Sequence, residues 1–86
     1  MINEVIISGV IEKVHNIGDF ILAAIRTNGD IFYLFFDSQE YDYSTLEKQY
    51  VCARGFLQHI KYKLEKNVNA INVLAICVEE MEKCNI

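Results

Sequence analysis

The stretch "FILAAIRTNGDIFYLFF", residues 20 to 36, decides the fold. Two short runs rich in Ile, Phe and Tyr flank the pair Asn28-Gly29, and both the composition of the runs and the Asn-Gly between them belong to a β-hairpin. "FILAAIR" (20 to 26) and "IFYLFF" (31 to 36) are therefore read as strands two and three. Alternation along the second run places Phe32, Leu34 and Phe36 on one face and Ile31, Tyr33 and Phe35 on the other. Packing one face of such a strand into a core leaves Tyr33 and Phe35 surplus. They become candidate stacking surfaces for a ligand, with burial under a loop or in a subunit contact as the alternative.

Working outward, "EVIISGVIEKV" (4 to 14), "YVCARGFLQHIKYK" (50 to 63) and "AINVLAICVEEM" (70 to 81) have the same β-branched character and supply strands one, four and five. "NIGD" (16 to 19) and "EKNVN" (65 to 69) are connectors. "SQEYDYSTLEKQ" (38 to 49) lacks strand alternation, and Ser44 followed by Glu47 forms a capping box for a short helix, with Ser38 as an earlier start. Two long strands carry an internal glycine, Gly9 in "ISGVI" and Gly55 in "ARGFL", where bulges or sharp bends let a small sheet curl and close. The order fits an all-β, five-stranded Greek-key barrel, the OB-fold, with a short helix between strands three and four. A different small α+β sheet is the alternative that pattern alone leaves open.

At 86 residues the chain is read as a single domain, residues 1 to 86, and a hydrophobic content of 52% argues against disorder. No run of 18 apolar residues is present, and Glu4 lies where a secretory signal would be basic. A cytoplasmic protein without a membrane partner is expected. Cys52, Cys77 and Cys84 show no C-x-x-C spacing, so neither a disulfide framework nor a zinc site is indicated, and Cys52 and Cys77 read as buried thiols. His15 and His59 lack metal or triad spacing, Ser8-Gly9 is a weak echo of a nucleophile turn, and Glu79, Glu80 and Glu82 read as a solvated face. No catalytic residue and no cofactor are expected.

Charge is distributed unevenly. Lys and Arg number 8 against 12 acidic residues, a formal net charge of -4. Yet residues 54 to 67 gather Arg54, Lys61, Lys63 and Lys66 around Tyr62, opposed by Glu65 alone. Lysines on a long hairpin also serve simply to keep an exposed edge soluble. On a flat strand, moreover, Tyr62 shares the parity of Ile60 and Leu64 and lies opposite the lysines.

The opening "MINEVIISGVIEK", with Asn3, the aliphatics Val5 to Ile7, Gly9 and Lys13, resembles the start of the bacterial single-stranded DNA-binding protein family. "FILAAIRTN" is similar to that family's second strand, "YVCARGFLQHIKY" to its fourth and "NVLAICVEEMEKC" to its fifth. The resemblance covers nearly the whole chain, with compressed loops. It departs at Val10, where the family commonly has a basic or polar residue, and at Gln58 and Ile60, where it commonly has basic ones, and no counterpart of the family's acidic-tipped C-terminal region is expected after "MEKCNI"; a tail-less primosomal accessory relative is a close variant.

The resemblance implies a non-enzymatic domain that binds single-stranded DNA, with RNA as an alternative ligand, without strong sequence preference. It also implies a homodimer or homotetramer, for which the apolar first strand around Ile6 and Val10 offers an edge, and a replication or repair protein as partner. In that reading Tyr33, Phe35 and Tyr62 stack on bases while Lys13, Arg26, Arg54, Lys61, Lys63 and Lys66 contact phosphates. The competing reading is an OB-fold protein–protein adaptor with little nucleic-acid affinity, in which Val10 and Ile60 are interface hydrophobes and the acidic segment 37 to 47 meets a basic partner.

Overall fold

The computed structural model describes residues 3–62 and 71–84, with Tyr62 and Ile71 described by backbone alone. Five strands follow one another: β1 (Glu4–Asn16), β2 (Phe20–Thr27), β3 (Asp30–Asp37), β4 (Tyr50–Tyr62) and β5 (Ile71–Lys83). The deciding hairpin forms as its sequence directs. Thr27 pairs with Asp30, and both residues between them take positive φ, 52° at Asn28 and 87° at Gly29. That is the primed turn whose twist matches the flanking strands.

Strand order around the sheet is β1-β2-β3-β5-β4, and β4 returns to β1 to close a barrel. Neighbours are antiparallel except β3 and β5, which pair in parallel at Leu34 with Ile76 and Phe35 with Cys77. The chain is thus an all-β OB-fold. Its interior takes alternate residues from every strand, among them Ile7 and Ile11, Ile21, Ala23 and Ile25, Leu34 and Phe36, Val51 and Ala53, and Ile76. Ile11, Ile21, Ile25, Leu34, Val51 and Ile76 are fully buried, each contributing about 1.5–3 kcal/mol of apolar burial. Among the described residues, no helix is long and apolar enough to cross a membrane.

Two internal glycines make closure possible. A Cβ on Gly55 would run into the carbonyl oxygen of Cys77 and lie 2.7 Å from its carbonyl carbon, at the point where the β4–β5 register shifts. At Gly9 a Cβ would strike the carbonyl oxygen of Arg26. The bulge in β1 lies further on, between Ile11 and Lys13; Gly9 instead marks where β1 passes from β4 to β2, the two pairings meeting at Val10.

The helix expected between strands three and four is a single 3-10 turn, Tyr43–Thr45. Its cap is Asp42, which accepts from the Ser44 backbone N–H at 3.1 Å and from the Ser44 hydroxyl at 2.5 Å. No Ser44–Glu47 capping box forms, because Glu47 accepts instead from the Val14 N–H at 3.2 Å. A longer helix would also consume backbone groups already engaged with β1: Lys48 N–H donates to the Ile11 carbonyl at 2.7 Å and Ile11 N–H to the Gln49 carbonyl at 2.9 Å. The segment drops Leu46 into the open end of the core. Phe56 is exposed, as is Phe32 at the hairpin end of β3. Cys52 and Cys77, expected as buried thiols, are half-buried.

Candidate nucleic-acid interface

The register of the barrel lines up side chains from different strands on its outer surface. Lys13 pairs with Ala24, and Ala24 with Tyr33, so these three form one cross-strand row. The adjacent row runs from His15 to Leu22 to Phe35, and continues to Cys77 on β5 and Phe56 on β4. Leu34 and Phe36 face the interior, so Tyr33 and Phe35 face out, as alternation requires.

These outward residues do not stand alone. Ile17, Leu22, Ile60 and Ala75 form a second buried cluster, against which Phe20, Tyr33, Phe35, Val73 and Cys77 pack half-buried. Phe20 stacks on Phe35 with ring centroids 4.8 Å apart and planes 17° from parallel. Each ring keeps part of its surface in solvent while its mounting is fixed by neighbours, the condition for a preorganised stacking platform. Beside Tyr33 a groove of about 470 Å³ opens, bordered by Val14, His15, Asn16, Ile17, Leu22 and Val73. The Cys77 thiol donates to Gln58 Oε1 at 3.3 Å, and burial pushes its pKa up, so it remains a thiol in the cluster's floor.

The cations are divided. Lys13 is exposed in the row of Tyr33. Arg26 lies on the same face one row nearer the hairpin, opposite Ile31. Its guanidinium holds the Glu12 carboxylate through two nitrogens and donates to the Gly29 carbonyl at 3.1 Å. Sequence reading made it a phosphate contact; the structure gives it a carboxylate. Arg54 is in a different place altogether, in the row Ile6, Arg54 and Glu80, bound to Glu4 at 2.7 Å, Glu79 at 3.2 Å and Glu80 at 2.5 Å. Hydrogen bonds to Glu80 and then Glu4 raise its pKa still further, so it stays charged and neutralised in place.

Lys61 pairs with Asn72 and has the opposite parity to Ile60, whose side chain enters the second cluster; it faces away from the aromatic rows. Tyr62 pairs through its backbone with Ile71, and its side chain lies outside the described residues. So do Lys63, Lys66 and the connector 65–69. The structure therefore brings together Tyr33, Phe35 and Lys13, with Arg26 adjacent.

His15, Asn16, Phe20, Leu22 and Val73 belong to the same surface and were missed as site residues. On β1 the bulge between Ile11 and Lys13 resets which residues face outward and puts His15 in the row of Leu22 and Phe35, while Asn16 and Val73 border the groove and Phe20 stacks on Phe35. Tyr41 and Tyr43 serve the scaffold. Tyr41 packs edge-on against Phe36 at 5.4 Å and donates to the Glu79 carbonyl, burial raising its hydroxyl pKa, while the Tyr43 hydroxyl accepts from Asn16 at 3.1 Å.

The bond to Arg26 holds the Glu12 carboxyl below the usual carboxylate range, and the Ser44 hydroxyl does the same for Asp42. Depressed folded-state values mean that both contributions are present above the unfolded carboxylate pKa, roughly 4, and are lost as pH falls through the folded values. Thermal midpoints measured between about pH 6 and about pH 2.5 should therefore drop at the acid end, and a Glu12→Gln variant should show a shallower drop. An identical slope in wild type and variant would separate Glu12 from the acid transition.

Set beside known proteins, the chain matches no protein-family model and no curated protein.

Proposed function

We propose that this OB-fold domain is a non-enzymatic binder of single-stranded DNA, gripping the strand on the outer face of β2 and β3 without reading its sequence. The observation that carries this reading is the mounted but half-exposed pair Tyr33 and Phe35, in cross-strand rows with Lys13 and His15. Aromatic faces accept any base, and each good stack is worth about 1–3 kcal/mol. RNA bases present equally stackable faces, so the two ligands are separated by affinity. The protein acts in the cytoplasm beside replication or repair enzymes.

The charge pattern sets the strength of the grip. Arg26 is already matched by Glu12 and the whole chain is acidic, so few phosphates are neutralised and the long-range field opposes a polyanion. Binding should be modest, with a shallow salt dependence of roughly 0.7 log unit per phosphate contact.

Fluorescence anisotropy of labelled oligo-dT, titrated at low and moderate salt with duplex of equal length as control, tests the proposal. A salt-sensitive rise for the single strand alone is expected; a flat titration from folded protein contradicts it and favours the adaptor reading. In the same assay Lys13→Gln should reduce the log–log salt slope by roughly 0.7. An unaltered slope would make Lys13 an ordinary surface lysine.

A further inference from the structure

A second face of the barrel has a different chemistry. On the outer side of β1, β4 and β5, the rows are Ile6, Arg54 and Glu80, then Ser8, Cys52 and Glu82. Ile6 is 68% exposed and Val10, two positions along the same face, 39%. The reason lies in the topology. Through Glu4–Gly9, β1 is paired to β4 alone, because its pairing with β2 begins at Val10. Ile6 therefore stands at an open border of the sheet, with no strand beyond it among the described residues.

Across the sheet from this apolar border lies a carboxylate column. The groove between them, about 480 Å³, is bordered by Ile6, Cys52, Arg54, Glu80, Met81 and Glu82. Arg54 is the single cation on its wall, and its charge is taken up by Glu4, Glu79 and Glu80. Glu82 has no ion-pair partner among the described residues. The face is thus apolar at one side and net acidic at the other, the two sides separated by two strand spacings, about 10 Å.

We infer that this face docks an extended basic segment of a partner protein. Its apolar side chains cover Ile6 and Val10, and its Lys or Arg side chains reach Glu82 and the outer oxygens of Glu80. A ten-ångström offset between an apolar and an anionic strip suits long cationic side chains, whose methylene stems lie on the apolar part while the charge reaches past it. Charge selects the occupant. A second copy would bring its own carboxylate column against this one, and a nucleic-acid strand would bring phosphates; both meet like charge. This inference does not rest on the oligonucleotide reading, since Ile6 and the carboxylates lie on β1, β4 and β5 while Tyr33 and Phe35 lie on β3; the two surfaces meet at Val10, which pairs with Arg26.

The probe is a fluorescein-labelled peptide of alternating Lys and Val, with the Glu and Val counterpart as control. The lysine peptide should bind wild-type protein saturably and move the amide resonances of Ile6, Arg54 and Glu82. Ile6→Ser and Glu82→Lys, both at exposed positions, should each weaken it more than about fivefold, while thermal midpoints stay unchanged. The inference is overturned by equal binding of the glutamate peptide, by no saturable binding of either, or by unchanged affinity in both variants. It is equally overturned if sedimentation shows wild-type dimers that Ile6→Ser converts to monomers, because a second copy would then own the face.

Discussion

Replacing Gly55 with Ala is expected to destabilise the protein by about 3 kcal/mol or more, lowering the thermal midpoint by roughly 12–24 °C. The cause is specific. The added methyl meets the backbone of Cys77, its carbonyl carbon at 2.7 Å and the Val78 Cα at 3.0 Å, and backbone held in a β-ladder cannot swing aside as a side-chain tip can. Relief requires β4 and β5 to separate where their register shifts, the place where the barrel turns its corner. Gly9→Ala should behave similarly, since its methyl meets the Arg26 carbonyl on β2. Gly29→Ala is the informative contrast. There a methyl meets nothing within 4 Å, and the cost is only that of holding φ at +87°, about 1 kcal/mol. Thermal melts of the three variants should rank in that order; a Gly55→Ala midpoint equal to wild type would mean that the strands do not approach as described.

Tyr33→Ala should weaken oligo-dT binding by about 1–3 kcal/mol, roughly 5- to 150-fold, with the fold intact because the ring is only half-buried and the second cluster retains Ile17, Leu22, Ile60 and Ala75. Tyr33→Phe should stay close to wild type, since the stacking face remains. Leu74→Ser provides the matched control: Leu74 is 61% exposed, and its pairing with His59 gives it the opposite parity to Val73 and Ile60. If Tyr33→Ala and Leu74→Ser bind alike, the aromatic rows are not the site.

Residue pattern carried the architecture further than the site. The Asn28-Gly29 turn, the alternation of β3 and the two internal glycines depend on local chemistry, and each was legible because a hairpin, a strand face and a close backbone approach leave few other residue choices. The short helix expected after β3 is a 3-10 turn without the Ser44–Glu47 capping box, because the segment's backbone groups bond to Ile11, a contact 37 residues away in sequence at Lys48; no local capping pattern encodes that.

The site was legible only in part for the same reason. Tyr33 and Phe35 were visible as aromatics that a core does not need. The roles of the arginines depended on which carboxylates the barrel brings near: Glu12 across a bulge for Arg26, and Glu4, Glu79 and Glu80 from two other strands for Arg54. Spacing along the chain made these arginines look free. Closure of the barrel leaves Lys13 as the cation beside the aromatic rows among the described residues.

The most direct measurement is a pair of amide correlation spectra of the isotope-labelled protein, with and without oligo-dT at low salt. The resonances expected to move cluster at Lys13 to Asn16, Leu22 to Ala24, Tyr33 to Phe35 and Val73, a single surface assembled from four strands. Shifts gathered instead around Ile6, Arg54 and Glu80, or a spectrum that the oligonucleotide leaves unchanged, would contradict the proposal.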